Sequence, residues 1–209
     1  MIVIVDYNMG NLRSVEKAID FVGGDVVVSS DSKIIEEADK IILPGVGAFP
    51  DGMRNLQNLG LIEVLKKQIL VYKKPILGIC LGMQLLANKS YEFGETKGLG
   101  IIDAEIIRFS FDNNELKVPH IGWNNIKIVN TNCLLNRVQD GDSFYFVHSF
   151  FMKNNNPTDV SCTCDYGVKF TAAICRDNVY ATQFHPEKSQ EKGLNILQEF
   201  VHMKSGVYA

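Results

Sequence analysis

The sequence predicts an α/β protein: an open, mostly parallel central sheet with helices on both faces, joined to antiparallel strands in the C-terminal half. Three observations predict it. Over residues 1–86, short apolar runs alternate with amphipathic segments of helical period, the pattern of a parallel sheet covered on both sides. Two of these runs end in loops rich in turn formers, at residues 6–11 and 44–47, at the sheet edge where open α/β folds build their sites. After about Lys89 the texture changes to strand-like runs with tight turns, which is the signature of antiparallel pairing.

The elements follow in order. Residues 1–5 (MIVIV) suit a central strand buried on both faces. Asp6-Tyr7-Asn8-Met9-Gly10-Asn11 is a polar, turn-prone loop. Leu12, Val15, Ile19 and Val22 recur at helical spacing, and Gly23-Gly24 stops that helix. Residues 26–29 form the next strand, Asp31-Ser32 caps a short helix through about Ala38, and residues 40–43 form a third strand. Residues 51–72 are helical with a break at Gly60, and Leu56, Leu59, Ile62, Leu65 and Ile69 face inward. A strand at 75–79 then runs into a helix from Leu81. In the second half the strand-like runs are 101–109, 121–129, 142–151, 160–166, 169–176 and 179–184, with a hairpin turn at Asp177-Asn178 and a surface loop at 154–157. This half is expected to wrap onto the first. A last helix from about Ser189 carries Leu194, Leu197, Phe200 and Val201 on one face. With no Gly-, Pro- or Ser-rich linker and no repeat, residues 1–209 read as one domain.

Bulk properties narrow the function. Hydrophobic residues make up 46% and charged residues 22%, with a formal net charge of −3. That is an ordinary soluble composition with no basic field for nucleic acid. No apolar run is long enough to span a bilayer. Five cysteines, without a small-domain disulfide pattern, indicate reduced thiols and a cytoplasmic protein. Cys162-Thr-Cys164 lacks the spacing of a redox or zinc pair; on a strand both thiols share one face and pack in the core.

The chemistry centres on Gly78-Ile79-Cys80-Leu81-Gly82. Small residues flank a nucleophile between a strand and a helix, the form of a nucleophile elbow with Cys in place of Ser. The helix N-terminus beyond it favours negative charge at the thiol. The alternative is a small buried hydrophobe, since free Cys is often inert. A Cys nucleophile needs a base and an orienting group. Of four histidines, His202 belongs to a helix end, and His120 and His148 lie in strands. His185, in Gln183-Phe184-His185-Pro186-Glu187, sits where Pro186 ends a strand, with a carboxylate two residues on. The loop Pro44-Gly45-Val46-Gly47 offers backbone at the sheet edge; no Gly-Lys-Ser/Thr follows, which excludes a P-loop.

These motifs resemble the triad-type, class I glutamine amidotransferases. Gly78-Ile79-Cys80-Leu81-Gly82-Met83-Gln84 and the distant Gln183-Phe184-His185-Pro186-Glu187 carry the likeness in the family's order. Asp6-Tyr7-x-Met9-Gly10-Asn11-Leu12, Pro44-Gly45-Val46-Gly47-x-Phe49, Pro119-His120-x-Gly122-Trp123-Asn124 and Tyr145-Phe146-Val147-His148-Ser149 are similar to the glutaminase subunits of imidazole glycerol phosphate synthases. Asn8 stands where that pattern has Gly.

The resemblance implies a flavodoxin-like amidotransferase fold and L-glutamine as substrate. It makes Cys80 the nucleophile, His185 the general base and acid, and Glu187 its orienter. The oxyanion hole would use the N–H groups of Leu81 and Val46. Gly45, Gln84, Glu92, Ser149 and Phe150 would contact substrate. The partner would be a (β/α)₈-barrel cyclase, met or gated through Asn11, Trp123, Tyr145, His148 and Lys188. No cofactor, metal, nucleic acid or membrane is implied. Gly45 and Gly47 allow a peptide flip, so the oxyanion hole is expected to be incomplete at rest. Two other readings are a paralogous glutaminase supplying another synthase, for example one that amidinates a sugar, and a non-catalytic scaffold. The intact Cys80, His185 and Glu187 set argues against the scaffold.

Overall fold

A computed structural model describes residues 1–111 and 116–203. The first half contains β1 (Ile2–Val5), α1 (Leu12–Phe21), β2 (Val26–Ser29), α2 (Ser32–Glu37), β3 (Lys40–Leu43), α3 (Phe49–Asn58), α4 (Leu61–Lys66), β4 (Ile76–Ile79) and α5 (Leu81–Leu85). The second half contains β5 (Lys89–Ser90), β6 (Thr96–Lys97), β7 (Ala104–Arg108), β8 (His120–Ile128), β9 (Ser143–His148), β10 (Phe150–Asn154), β11 (Val160–Asp165), β12 (Lys169–Arg176), β13 (Val179–Thr182) and α6 (Gln190–His202).

β1 to β4 pair in parallel, and β13 adds to β4 in the same direction. β12, β11, β8 and β9 continue outward in antiparallel pairing. The result is one nine-stranded sheet in the order β2-β1-β3-β4-β13-β12-β11-β8-β9. Leu99, Ile101, Ala104, Ile106 and Met152 pack onto the core of the first half, the wrapping the sequence led us to expect, and the second half also extends the first sheet edge to edge. The cause is β13, whose hairpin at Asp177 (φ 51°) returns the chain against β4.

The two-residue period of β1 explains why helices cover both faces. Ile2 and Ile4 pack with Val15 and Ile19 of α1 and with Leu197 and Phe200 of α6. Val3 and Val5 belong to the opposite cluster, with Ile35 of α2, Leu56 of α3 and Leu61 of α4. All four strand residues are buried, and each such burial contributes roughly 1.5–3 kcal/mol. A polar residue anywhere in β1 would thus oppose one core or the other.

Local signals place most boundaries. The Asp31 carboxylate accepts the Lys33 N–H at 2.8 Å and caps α2. Gly60 adopts φ 68° between α3 and α4, the left-handed conformation glycine takes without strain. The expected strand over 142–151 is in fact two strands in different sheets. Phe144, Phe146 and His148 alternate inward, but Phe151 and Met152 are buried in succession, so the period breaks at Ser149. β10 joins β7, β5 and β6 in a separate four-stranded sheet. β5 and β6, of two residues each, are too short to carry a period. Among the described residues no helix is long and apolar enough to cross a membrane.

Candidate active site

Cys80 stands between β4 and α5 with φ 54° and ψ −108°, a conformation that costs an L-residue about 1–3 kcal/mol. Surrounding contacts enforce it. The Cys80 N–H donates to the Thr182 carbonyl at 2.8 Å, tying the elbow to β13. A Cβ on Gly82 would overlap the Leu43 carbonyl oxygen, so α5 lies directly against β3. The flanking glycines thus permit close packing as well as the bend. Cys80 itself is 5% exposed.

His185 follows the end of β13. Its N–H donates to the Tyr145 carbonyl at 2.9 Å, and the Ser189 hydroxyl donates to the His185 carbonyl at 2.6 Å. The Tyr145 N–H in turn donates to that hydroxyl at 3.0 Å. His185 Nδ1 lies 2.8 Å from Glu187 Oε1, and the two side chains are 3% and 4% exposed. His185 Nε2 and Glu187 Oε2 have no hydrogen-bond partner among the described residues. Burial alone pushes the imidazolium toward losing its proton. Neighbouring Cys80 and Glu187 together reverse this and raise the His185 pKa to about 9. The ring is therefore held by one nitrogen, with the other open on the side of the thiol.

Beside Cys80 is a cavity of about 330 Å³. Cys80, Leu81 and Gln84 form one wall, His148, Ser149 and Phe150 another, and Val46, Gly47 and Glu92 contribute to the rest. Gln84 Nε2 donates to the Phe150 carbonyl at 2.9 Å and to Gln183 Oε1 at 3.0 Å. The Glu92 carboxylate accepts the Phe49 N–H at 2.8 Å, so it is anchored at the start of α3 and is not a free loop charge.

Gly45, which the resemblance made a substrate contact, is buried and is not among the residues of this cavity wall. Its carbonyl accepts the Leu81 N–H at 3.2 Å. Just upstream, the buried Tyr7 hydroxyl donates to the Pro44 carbonyl at 2.7 Å. A Cβ on Gly45 would overlap that hydroxyl, which is why only glycine fits.

Four of the five expected partner residues are linked on one surface. Asn11 and Lys188 share a narrow cleft with Val46 and Glu187. Lys188 Nζ lies 5.8 Å from the Tyr145 ring centre, and Tyr145 meets Trp123 edge-on at 6.3 Å. Trp123 is 48% exposed on β8. His148 departs from the group. It is 5% exposed, and its ring nitrogens meet the Phe150 carbonyl at 2.9 Å and His120 at 3.0 Å. A side chain so engaged lines the cavity wall and lies off the surface the other four share.

The sequence assigns no role to Gln183, Tyr7 or Val147. Gln183 is written in the same short motif as His185, and its amide reaches the Cys80 sulfur at 3.7 Å. Tyr7 lies in a loop read as polar, yet it is fully buried.

A strained, buried thiol beside a carboxylate-held imidazole, on this sheet order, defines an amidotransferase of the triad class. Residues 3–203 match the family model for class-I glutamine amidotransferases, and the chain belongs to that family. It is 48% identical over 203 residues to imidazole glycerol phosphate synthase subunit HisH 1 of Campylobacter jejuni, covering 97% of this chain and 100% of that protein. It is 49% identical over 207 residues to subunit HisH of Geobacter sulfurreducens, covering 97% and 99%. Among solved structures, a glutamine amidotransferase superposes with TM-score 0.73 at 17% identity, covering 95% of this chain and 98% of that one. PurLQS from Thermotoga maritima gives TM-score 0.70 at 20% identity, covering 95% and 96%. At these identities the structural matches establish the fold.

Proposed function

We propose that this chain is the glutaminase subunit of an imidazole glycerol phosphate synthase, folded as one domain over residues 1–209 and acting in the cytoplasm. The observation that carries the reading is Cys80 held at the elbow beside the His185–Glu187 pair, at the edge of a cavity. Near-half identity to HisH subunits along almost the whole chain supports the pathway over a paralogous role.

In this reading the Cys80 thiolate attacks the side-chain amide carbon of L-glutamine. His185, open at Nε2 and steadied at Nδ1 by Glu187, takes the thiol proton and gives it to the departing nitrogen. Ammonia leaves and a γ-glutamyl thioester remains. Water, deprotonated by His185, then attacks the thioester and releases glutamate. Gln84 and Glu92 face the substrate's amino-acid end, with Ser149 and Phe150 across the cavity. Because both Gln84 donor contacts point into the protein, its carbonyl oxygen is the end left for an ammonium group.

The tetrahedral intermediate needs two donors. The Leu81 N–H is held by the Gly45 carbonyl, so the hole is unassembled at rest. Rotation of the Gly45–Val46 peptide releases Leu81 and turns the Val46 N–H inward. We assign that rotation to binding of the (β/α)₈-barrel cyclase on the surface of Asn11, Trp123, Tyr145 and Lys188. The cyclase then receives ammonia before it is protonated in bulk water. No nucleic acid, membrane or cofactor takes part. Cys80→Ala tests the nucleophile: it should lower glutamine hydrolysis at least a thousandfold, while the partner reaction continues with ammonium salts at raised pH. Hydrolysis near the normal rate would exclude Cys80.

A further inference from the structure

The Cys80 sulfur has two hydrogen-bond contacts that the triad does not explain. The thiol faces the Val147 carbonyl at 3.9 Å, and the Gln183 side-chain amide donates to the sulfur at 3.7 Å. Gln183 is fully buried, and Gln84 is 6% exposed. The Val147 carbonyl is an acceptor, so it welcomes the thiol proton and repels the thiolate. Only a donor offsets that repulsion once the proton leaves.

Which end of the Gln183 amide meets the sulfur is decided by chemistry, link by link. The Phe150 carbonyl can only accept. Gln84 must therefore turn its NH₂ toward it, at 2.9 Å, and the same NH₂ reaches Gln183 at 3.0 Å. Gln183 must answer with its oxygen, which leaves its own NH₂ on the sulfur. The Phe150 carbonyl is itself fixed by His148. His148 Nδ1, 2.9 Å from that oxygen, carries the proton, so neutral His148 accepts at Nε2. The donor there is His120 Nδ1 at 3.0 Å. His120 Nε2 then accepts from Asn124 Nδ2 at 3.4 Å, and Asn124 also donates to the Asp165 carbonyl at 2.9 Å. Both histidines are held neutral by burial, near 4 for His120 and near 3 for His148, which keeps each ring one donor and one acceptor. No link in this chain can be reversed without setting two acceptors or two donors face to face.

We propose that Gln183 is a further catalytic residue, donating a hydrogen bond to the Cys80 sulfur through nucleophilic attack, and that Gln84, His148 and His120 are positioning residues that hold its amide the right way round. The sulfur is the reacting atom, so Gln183 acts on it directly. The others act through Gln183. The inference rests on Cys80 being the nucleophile.

The test is made on the chain in complex with the barrel cyclase. Iodoacetamide alkylation of Cys80 is followed at pH 7 by peptide mass spectrometry, which separates it from the other four cysteines. Gln183→Met keeps the length and loses the donor. Gln183→Glu keeps the acceptor for Gln84 and loses the N–H, so it serves if Gln183→Met does not fold. Each should slow alkylation tenfold or more and lower kcat for glutamine tenfold or more, with KM within twofold. Gln84→Met, which frees the amide to turn, should slow alkylation three- to tenfold although iodoacetamide does not use the glutamine site. A packing role would lower Tm and leave alkylation unchanged. Alkylation within twofold of the parent in folded Gln183→Glu would overturn the inference. Activity surviving in Cys80→Ala would instead overturn the reading beneath it.

Discussion

The Leu81 N–H donates to the Gly45 carbonyl at 3.2 Å. A donor spent on a neighbouring carbonyl cannot receive an oxyanion, and one missing donor costs about 10²–10³ in rate. In the proposed activation, turning the Gly45 carbonyl away frees Leu81 in the same movement. Tyr7 anchors the peptide just upstream through the Pro44 carbonyl, so rotation is confined to the glycine.

Gly45→Ala should therefore damage both fold and function. Its Cβ overlaps the Tyr7 hydroxyl, and overpacking of this kind costs about 1–3 kcal/mol. Partner-stimulated hydrolysis should fall at least tenfold. Adding Tyr7→Phe removes the obstructing oxygen, so the double variant should be more stable than Gly45→Ala alone. Urea unfolding of the four proteins gives the coupling, and simple additivity would refute the overlap.

Glu187→Gln tests the electrostatics of the pair. The His185 pKa is raised from 6.5 to about 9, by Cys80 and Glu187 acting against burial. A raised value stabilises the fold fully below about pH 6.5, and the gain is lost as pH rises through about 9. Removing the Glu187 charge lowers the folded value, at about 1.4 kcal/mol per unit in the acidic window. The Tm gap between parent and variant should be widest near pH 6 and close toward pH 9–10. A gap independent of pH would deny the link.

Much of this was legible in the sequence. The parallel half was readable because β1 and β4 are apolar throughout, β3 is apolar after Lys40, and all three end at turn-forming loops. The Cys80 elbow and the His185–Glu187 pair were readable because their residues are local in the chain. What escaped depends on distance in sequence. Nothing near Gln183 announces that its amide meets a sulfur 103 positions away. Tyr7 reads as a loop residue because its partner, Pro44, lies 37 positions on. The split of the 142–151 run escaped for another reason: a period can break at one residue, Ser149, with no glycine or proline to mark it.

Trp123→Ala addresses the docking surface. Trp123 is 48% exposed and braced edge-on by Tyr145, the kind of rigid aromatic that anchors interfaces. Its loss should weaken cyclase binding about thirtyfold or more, corresponding to a hot spot of about 2 kcal/mol. Calorimetric titration with the cyclase gives the Kd, and circular dichroism checks the fold. An unchanged Kd would move the interface elsewhere.

In the proposed function Cys80 waits in an unassembled site until a partner completes it. Glutamine turnover by the purified chain, measured alone and then with the proposed cyclase subunit, checks this. Turnover should be slow alone and rise at least about a hundredfold in the complex, the worth of one restored oxyanion donor. Equal turnover with and without the partner would contradict it.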